Sequence, residues 1–301
     1  MKAIVKYIVL VSLLISGKSN CQESFSIEEQ LNVIRKVNSL LDNKNAENYR
    51  TAHIDSILIS HKTIEDFYIE KNLSSYQNLY LSSNLSFIQH QLMGNMYVTY
   101  LDFVGRPWKI RFKIYDRGTR DTVRLLEFAD SMNAKFSSDK YSIVFTKVFA
   151  DVDKKINENF YREPVKLFRP DLREDVDFIN DPLNALTYGI ACSVSGSPPI
   201  GLSVMQSLVD YKEFPAIENL LYSLNPVTRV YAADALIFSK KKKGYKLNKI
   251  LSEKIDKIYE ERIVIEMCSG CSFEYMQIRF AVNELKEQMK NPYQNYIFIN
   301  K

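Results

Sequence analysis

The stretch PAIENLLYSLNPVTRVYAADALIF, residues 215–238, leaves the chain the least conformational freedom. Pro215 opens a run in which Ile217, Leu220, Leu221 and Leu224 recur at helical spacing, Asn225-Pro226 interrupts it, and Val230, Ala233, Leu236 and Ile237 restart the same period. Proline is tolerated in a first helical turn because the amide it lacks would have had no partner there. Two helices joined by a tight turn follow. KLNKILSEKIDKIYE then supplies another amphipathic helix through Leu247, Ile250, Leu251, Ile255 and Ile258.

Upstream of this stretch, PLNALTYGIACSV and IGLSVMQSLVDY read as further helical pieces, parted by SGSPP. The Asn225-Pro226 turn, Arg229, Ala232-Ala233 and Ala235-Leu236 together resemble a HEAT repeat over about 25 residues. That resemblance implies helices brought close by small side chains and stacked into an array that offers a surface to another macromolecule. A solenoid needs at least about three repeats to bury its faces, and three good copies are not found. An antiparallel helical hairpin within a globular bundle therefore stays open beside the array.

Nearer the N-terminus the period changes twice. SIEEQLNVIRKVNSLLDN has Ser26 and Glu29 in capping-box spacing ahead of Leu31, Ile34, Val37 and Leu41, which predicts an amphipathic helix. Between Ala46 and Gln91 helical and extended signals are mixed. MYVTYLDFVGRPWKIRFKIYD then alternates Val98, Tyr100 and Asp102 before a Gly105-Arg106-Pro107 turn and Ile110, Phe112 and Ile114 after it, which predicts a β-hairpin near 96–115. Trp108, at its base, is expected to cover a core edge. TRDTVRLLEFADSMNAKF returns to helical spacing. In SDKYSIVFTKVFADVDKKINENFY the steps Phe145, Phe149, Val152 and Ile156 favour a helix over a strand. Three prolines and mixed charges in REPVKLFRPDLREDVDFINDPL mark a linker.

The expected fold class is thus mostly α: an α-rich N-terminal region with one β-hairpin (20–163), a linker (164–182) and a C-terminal α-helical region (183–301) arranged as an array of antiparallel helical hairpins. Residues 1–19 are expected to be a signal peptide. Lys2 and Lys6 precede an apolar run from Ile8 to Ile15, and Gly17 and Ser19 stand at minus three and minus one of a cleavage after Ser19. The run falls short of the roughly 20 residues needed to span a bilayer, and no later segment approaches that length. The leader followed by a Lys-, Asn- and Ile-rich body looks bacterial, so the expected location is the periplasm or the cell exterior. Cys21 stands where a lipoprotein carries its lipidated cysteine, but Lys18 and Asn20 occupy positions that a lipobox fills with an aliphatic and a small residue.

Loss of the leader removes Lys2, Lys6 and Lys18 and no acid, so most of the +4 net charge goes with it. The remaining chain offers no broad basic surface for nucleic acid. Lys240 to Lys243 form one basic run, read as a solvated loop. With 46% hydrophobic residues, the mature chain has enough apolar surface for one large core or two smaller ones.

Four cysteines carry the remaining chemical signal. Cys268 and Cys271 stand two residues apart in CSGC, behind the β-branched RIVIEM and ahead of SFEYMQIRFAVNELKEQ, which has helical period. Three readings compete. A thioredoxin-like redox pair would use Cys268 as nucleophile and Cys271 as resolving thiol, favoured by a helix N-terminus, yet no βαβ unit, preceding tryptophan or internal proline accompanies it. Zinc needs four ligands, and Cys21, Cys192, His53, His61 and His90 stand at no partner spacing. A local Cys268–Cys271 disulfide suits an oxidising compartment and is the expected state, contributing on the order of 2 kcal/mol. Cys192 is then a buried thiol.

No other constellation carries chemistry. His53 and His61 with Asp55 or Glu65 are scattered, and Asp171, Glu174, Asp175 and Asp177 lie among arginines in a loop-like stretch. No metal and no cofactor is expected. The functional expectation is a non-enzymatic, exported helical protein that binds another protein. A periplasmic thiol-disulfide oxidoreductase and a lipid-anchored surface protein are its rivals.

Overall fold

The computed structural model describes residues 32, 34–36, 39, 85–92, 96–103, 106–115, 122–131, 135–137, 142–148, 165–192 and 195–288. The leader, Cys21, His53, His61, Asp55 and Glu65 lie outside the described residues. Of the predicted first helix, residues 32, 34–36 and 39 are described and helical, with Ile34 buried.

Residues 85–148 build an antiparallel sheet from β1 (Leu85–Leu92), β2 (Met96–Phe103), β3 (Arg106–Tyr115), β4 (Lys135–Ser137) and β5 (Ser142–Val148), in the order β1-β2-β3-β5-β4. The β2–β3 register sets Val98 opposite Phe112 and Tyr100 opposite Ile110, all four of them buried. Alternation at a period of two puts these residues on one face, so that face closes over a core. Trp108 is buried as well. Helix α1 (Thr122–Ser131) connects β3 to β4 and packs on β4 and β5. The segment read as helix through Phe145 is instead strand β5, paired with β3 from Lys109↔Val148 to Tyr115↔Ser142. Neighbouring strands supplied the partner that favoured its β-branched run.

The C-terminal region corrects the expected fold class, since it is no array of helical hairpins. Helices α2 (Arg173–Asn180), α3 (Ile200–Asp210), α4 (Phe214–Leu220), α5 (Pro226–Lys242), α6 (Lys249–Tyr259) and α7 (Ile278–Gln288) share one core with a second sheet. That sheet is β6 (Thr187–Tyr188), β7 (Val264–Ser269) and β8 (Ser272–Gln277), in this order. Of PLNALTYGIACSV, residues 182–192 are described and form turns and a short strand, and SFEYMQ is strand β8, with helix beginning only at Ile278. Strand β6 runs parallel to β7, a pairing that requires a long crossover. Helices α3 to α6 form it.

Helix α5 is the axle of this unit. It is buried from Pro226 to Ala233 and again at Ala235 and Leu236, and it packs on α3, α4 and α6. A helix that is covered on nearly every side belongs at the centre of a core, and its alanines let the neighbours approach. Asn225 caps it, accepting the Val227 amide at 3.2 Å while its own amide donates to the Asn184 carbonyl at 2.9 Å. At the other end Lys240 to Lys242 form the last turn rather than a loop, where cations suit the helix dipole.

The stretch read as a linker is also structured. Val176 and Ile179 of α2 are fully buried in the C-terminal core, along with Leu172 before it. Arg111 of β3 pairs with Asp181 in this segment and donates to Asn184, just beyond it, at 2.6 Å.

Candidate functional site

Strands β7 and β8 meet in a tight turn, with Ser269 opposite Ser272 and Gly270-Cys271 between them. Gly270 has a φ of +59°, a conformation that an L side chain adopts only with strain. Its amide donates to the Ala191 carbonyl at 3.2 Å, and its backbone bridges Cys192. Three cysteines thus converge on one turn.

The bond among them differs from the expected one. Cys268 is joined to Cys192, with the two Cα atoms 5.6 Å apart, and Cys271 is a free, exposed thiol. The expected local staple is corrected to a bridge across 76 residues, and Cys192 is no thiol at all. Cys268 is buried, at 1% exposure. The backbone of Gly189 closes over it: a Cβ there would come within 2.5 Å of the Cys268 sulfur and 2.6 Å of its carbonyl oxygen. Only glycine fits at that position.

Beside the turn, β8 is the outer strand of its sheet, and Ser272 through Tyr275 are all exposed. Phe273 and Tyr275, two residues apart, stand on the same face and are 51% and 43% exposed. The Tyr275 hydroxyl donates to Glu266 on β7 at 2.8 Å, and the other oxygen of that carboxylate accepts from Thr187 on β6. This polar thread ties the three strands together.

Behind β6 lies a tyrosine–carboxylate cluster that the sequence did not announce. Asp234 of α5 accepts from the Tyr188 and Tyr259 hydroxyls, each at 2.7 Å. Burial pushes its carboxyl up to about 6, while the two phenols and Lys286 pull the other way. Burial and the adjacent carboxylate raise both phenols. With each carboxylate oxygen already engaged by a phenol, Asp234 works as a fastening between helix and strand. Tyr231 does the same for backbone: its hydroxyl takes the Gly189 amide at 2.8 Å and donates to the Gly189 carbonyl at 2.8 Å. An open cleft between α6 and α7 is lined by Asp256, Glu260, Arg279 and Lys286 beside Tyr259 and Phe280, so both signs of charge face it.

Two more buried charges hold the frame. Arg229, 1% exposed, donates to the Ser223 carbonyl at 2.8 Å and to Glu261 at 2.5 Å. The arginine of the repeat-like segment therefore clamps the α4–α5 turn. Glu213, fully buried, accepts the Phe168 and Arg169 amides at 3.0 and 2.7 Å and anchors the chain before α2. Neither partner was readable, since both pairings depend on the tertiary fold.

The remaining predicted residues take bland places. Asp171 pairs with Arg169 at 2.7 Å, which lowers its carboxyl, and Asp177 lies 3.7 Å from Arg173 on an exposed helix face. His90 belongs to β1. Among the described residues no group of three His, Cys, Asp or Glu is placed to hold a metal ion, and no helix is long and apolar enough to cross a membrane. Comparison with protein-family models, with curated proteins and with solved structures found no match to this chain.

Proposed function

We propose that the protein is an exported, non-enzymatic interaction protein, and that strand β8 receives an extended segment of a partner protein by strand addition. The observation that carries this reading is an outer strand whose residues Ser272 to Tyr275 are all exposed, two of them aromatic. Among the described residues β8 has one neighbour strand, β7, and a strand at a sheet edge can take up an extended segment while alternate side chains beside it provide selectivity. The bridge between Cys192 and Cys268 supports folding in an oxidising compartment, since such bonds are rare where thiols are kept reduced.

A photo-crosslinking residue at 273, with one at exposed Lys240 as control, tests the docking strand in the native exported fraction. A partner captured at 273 and absent at 240, whose binding slows amide exchange along β8, is the expected result. Equal capture at both positions, or unchanged exchange in β8, removes β8 as the docking element. The mass of the mature N-terminus checks the leader: cleavage after Ser19 fits the proposal, and a lipid on Cys21 replaces it with an anchored protein. An oxidoreductase that attacks through Cys268 is disfavoured, because that sulfur is buried and already bonded.

A further inference from the structure

The sulfur cluster has one more thiol than its bridge requires. Cys271 is free and exposed, lies three residues from Cys268, and occupies the turn to which the Cys192 backbone is bridged. The Cys-X-X-Cys spacing of Cys268 and Cys271 is one at which disulfides form in redox proteins. Cys268 therefore has a bonded partner, Cys192, and a second thiol, Cys271, in the turn that follows it.

We infer that residues 192, 268 and 271 form an internal thiol–disulfide exchange site in which Cys268 passes its bond from Cys192 to Cys271. The Cys271 thiol loses its proton to solvent, and the thiolate attacks the Cys268 sulfur. The Cys268–Cys271 bond forms as the Cys192–Cys268 bond breaks, and Cys192 leaves as a thiolate that takes a proton from water. One disulfide and one thiol exist before and after, so no outside oxidant or reductant takes part. Two features set the direction. Gly189 walls Cys268 on one side with backbone, so an attacking thiolate has to reach the sulfur from another side, and Cys271 lies in the turn that follows Cys268. Cys192 is partly exposed, so its departing thiolate is better solvated than one released from the buried Cys268 position.

The exchange changes what is tied to what. In the described state the bridge fastens the segment before α3 to the β7–β8 turn; after exchange that link is gone and a local ring closes the turn. The site is a reversible covalent latch, and it operates whether or not β8 docks a partner.

Disulfide mapping of the full oxidised chain tests it. The protein is held at pH 6, 7 and 8, quenched in acid at intervals, treated with an alkylating reagent, and digested without reduction. The expected result is a Cys268–Cys271 peptide with alkylated Cys192 that accumulates with time, and faster at pH 8 than at pH 6 because the thiolate is the attacking species. Cys271→Ser is expected to abolish Cys192 alkylation; this residue is exposed, so the fold tolerates the change. Persistent Cys192–Cys268 with only Cys271 alkylated at every pH overturns the inference. So does a Cys192–Cys271 product, which would make Cys192 the attacked sulfur, or Cys192 alkylation that survives in Cys271→Ser.

Discussion

In the five-stranded sheet the pairing furthest apart in sequence joins Lys109 to Val148, and the hairpins are adjacent in the chain. The three-stranded sheet joins Thr187 to Glu266 across four helices. The first sheet is specified by side chains that alternate along each strand, and its partners are local. The second depends on fastenings between distant elements: a disulfide, the Arg229 clamp, the Glu213 carboxylate and the Asp234 phenol pair. Pattern alone can build the one, but the other needs named residues at named places, and its sensitivity to single substitutions should be correspondingly greater.

The sharpest break is Cys192→Ser. Removing a cross-link across 76 residues is expected to cost about 4 kcal/mol by the loop-entropy relation, read as a lowered denaturant midpoint with a somewhat steeper slope, since the freed unfolded chain exposes more surface. A loss below about 1 kcal/mol, on the same relation, would mean that the C-terminal unit does not lean on the bridge. Next comes Arg229→Ala, which strips the donor from the Ser223 carbonyl and leaves Glu261 without its partner. Breaking a buried pair in this way costs about 3 kcal/mol, measured by the same unfolding curve.

Asp234 gives the comparison a pH axis. Its folded carboxyl, raised to about 6, holds a proton more firmly than the unfolded chain does, so its contribution to stability is complete below about pH 4 and is lost as pH rises through 6. Between pH 4 and 7 the wild type should lose about 2 kcal/mol relative to Asp234→Asn, after allowance for its partial exposure. Parallel pH dependences for the two proteins would contradict this assignment. Smallest is Arg111→Ala, at the contact between β3 and the α2 end, where both partners retain solvent. About 1 kcal/mol or less is expected from such a pair. A loss matching that of Arg229→Ala would erase the distinction between the two regions.

What the sequence showed follows the same division. The hairpin at 96–115 was readable because Val98, Tyr100, Ile110 and Phe112 alternate, and a period of two has one structural meaning. Helices α4 and α5 were readable from Pro215 and the Asn225-Pro226 break. SFEYMQ was misread because its aromatic residues stand near helical spacing to Phe280, and only pairing with β7 makes it a strand. The segment around Cys192 is apolar enough for a helix, yet Gly189 must lie against Cys268, and residues 189–191 bend instead of coiling. Of the candidate site, Cys268 and Cys271 were singled out, but their bonding was not, because spacing favours the near sulfur and the fold presents another. The acid of the phenol cluster looked like any polar residue on α5.

The hydroxyl of Tyr231 has a wider meaning. Strand β6 is only two residues long, and just past it the phenol both takes the Gly189 amide and returns a proton to that residue's carbonyl, so a helix side chain stands in for a missing neighbour strand. Sheet and helix are thereby inseparable: neither half can be excised with its backbone satisfied, and the segment from 187 to 277 should melt, or be transplanted, only as a whole.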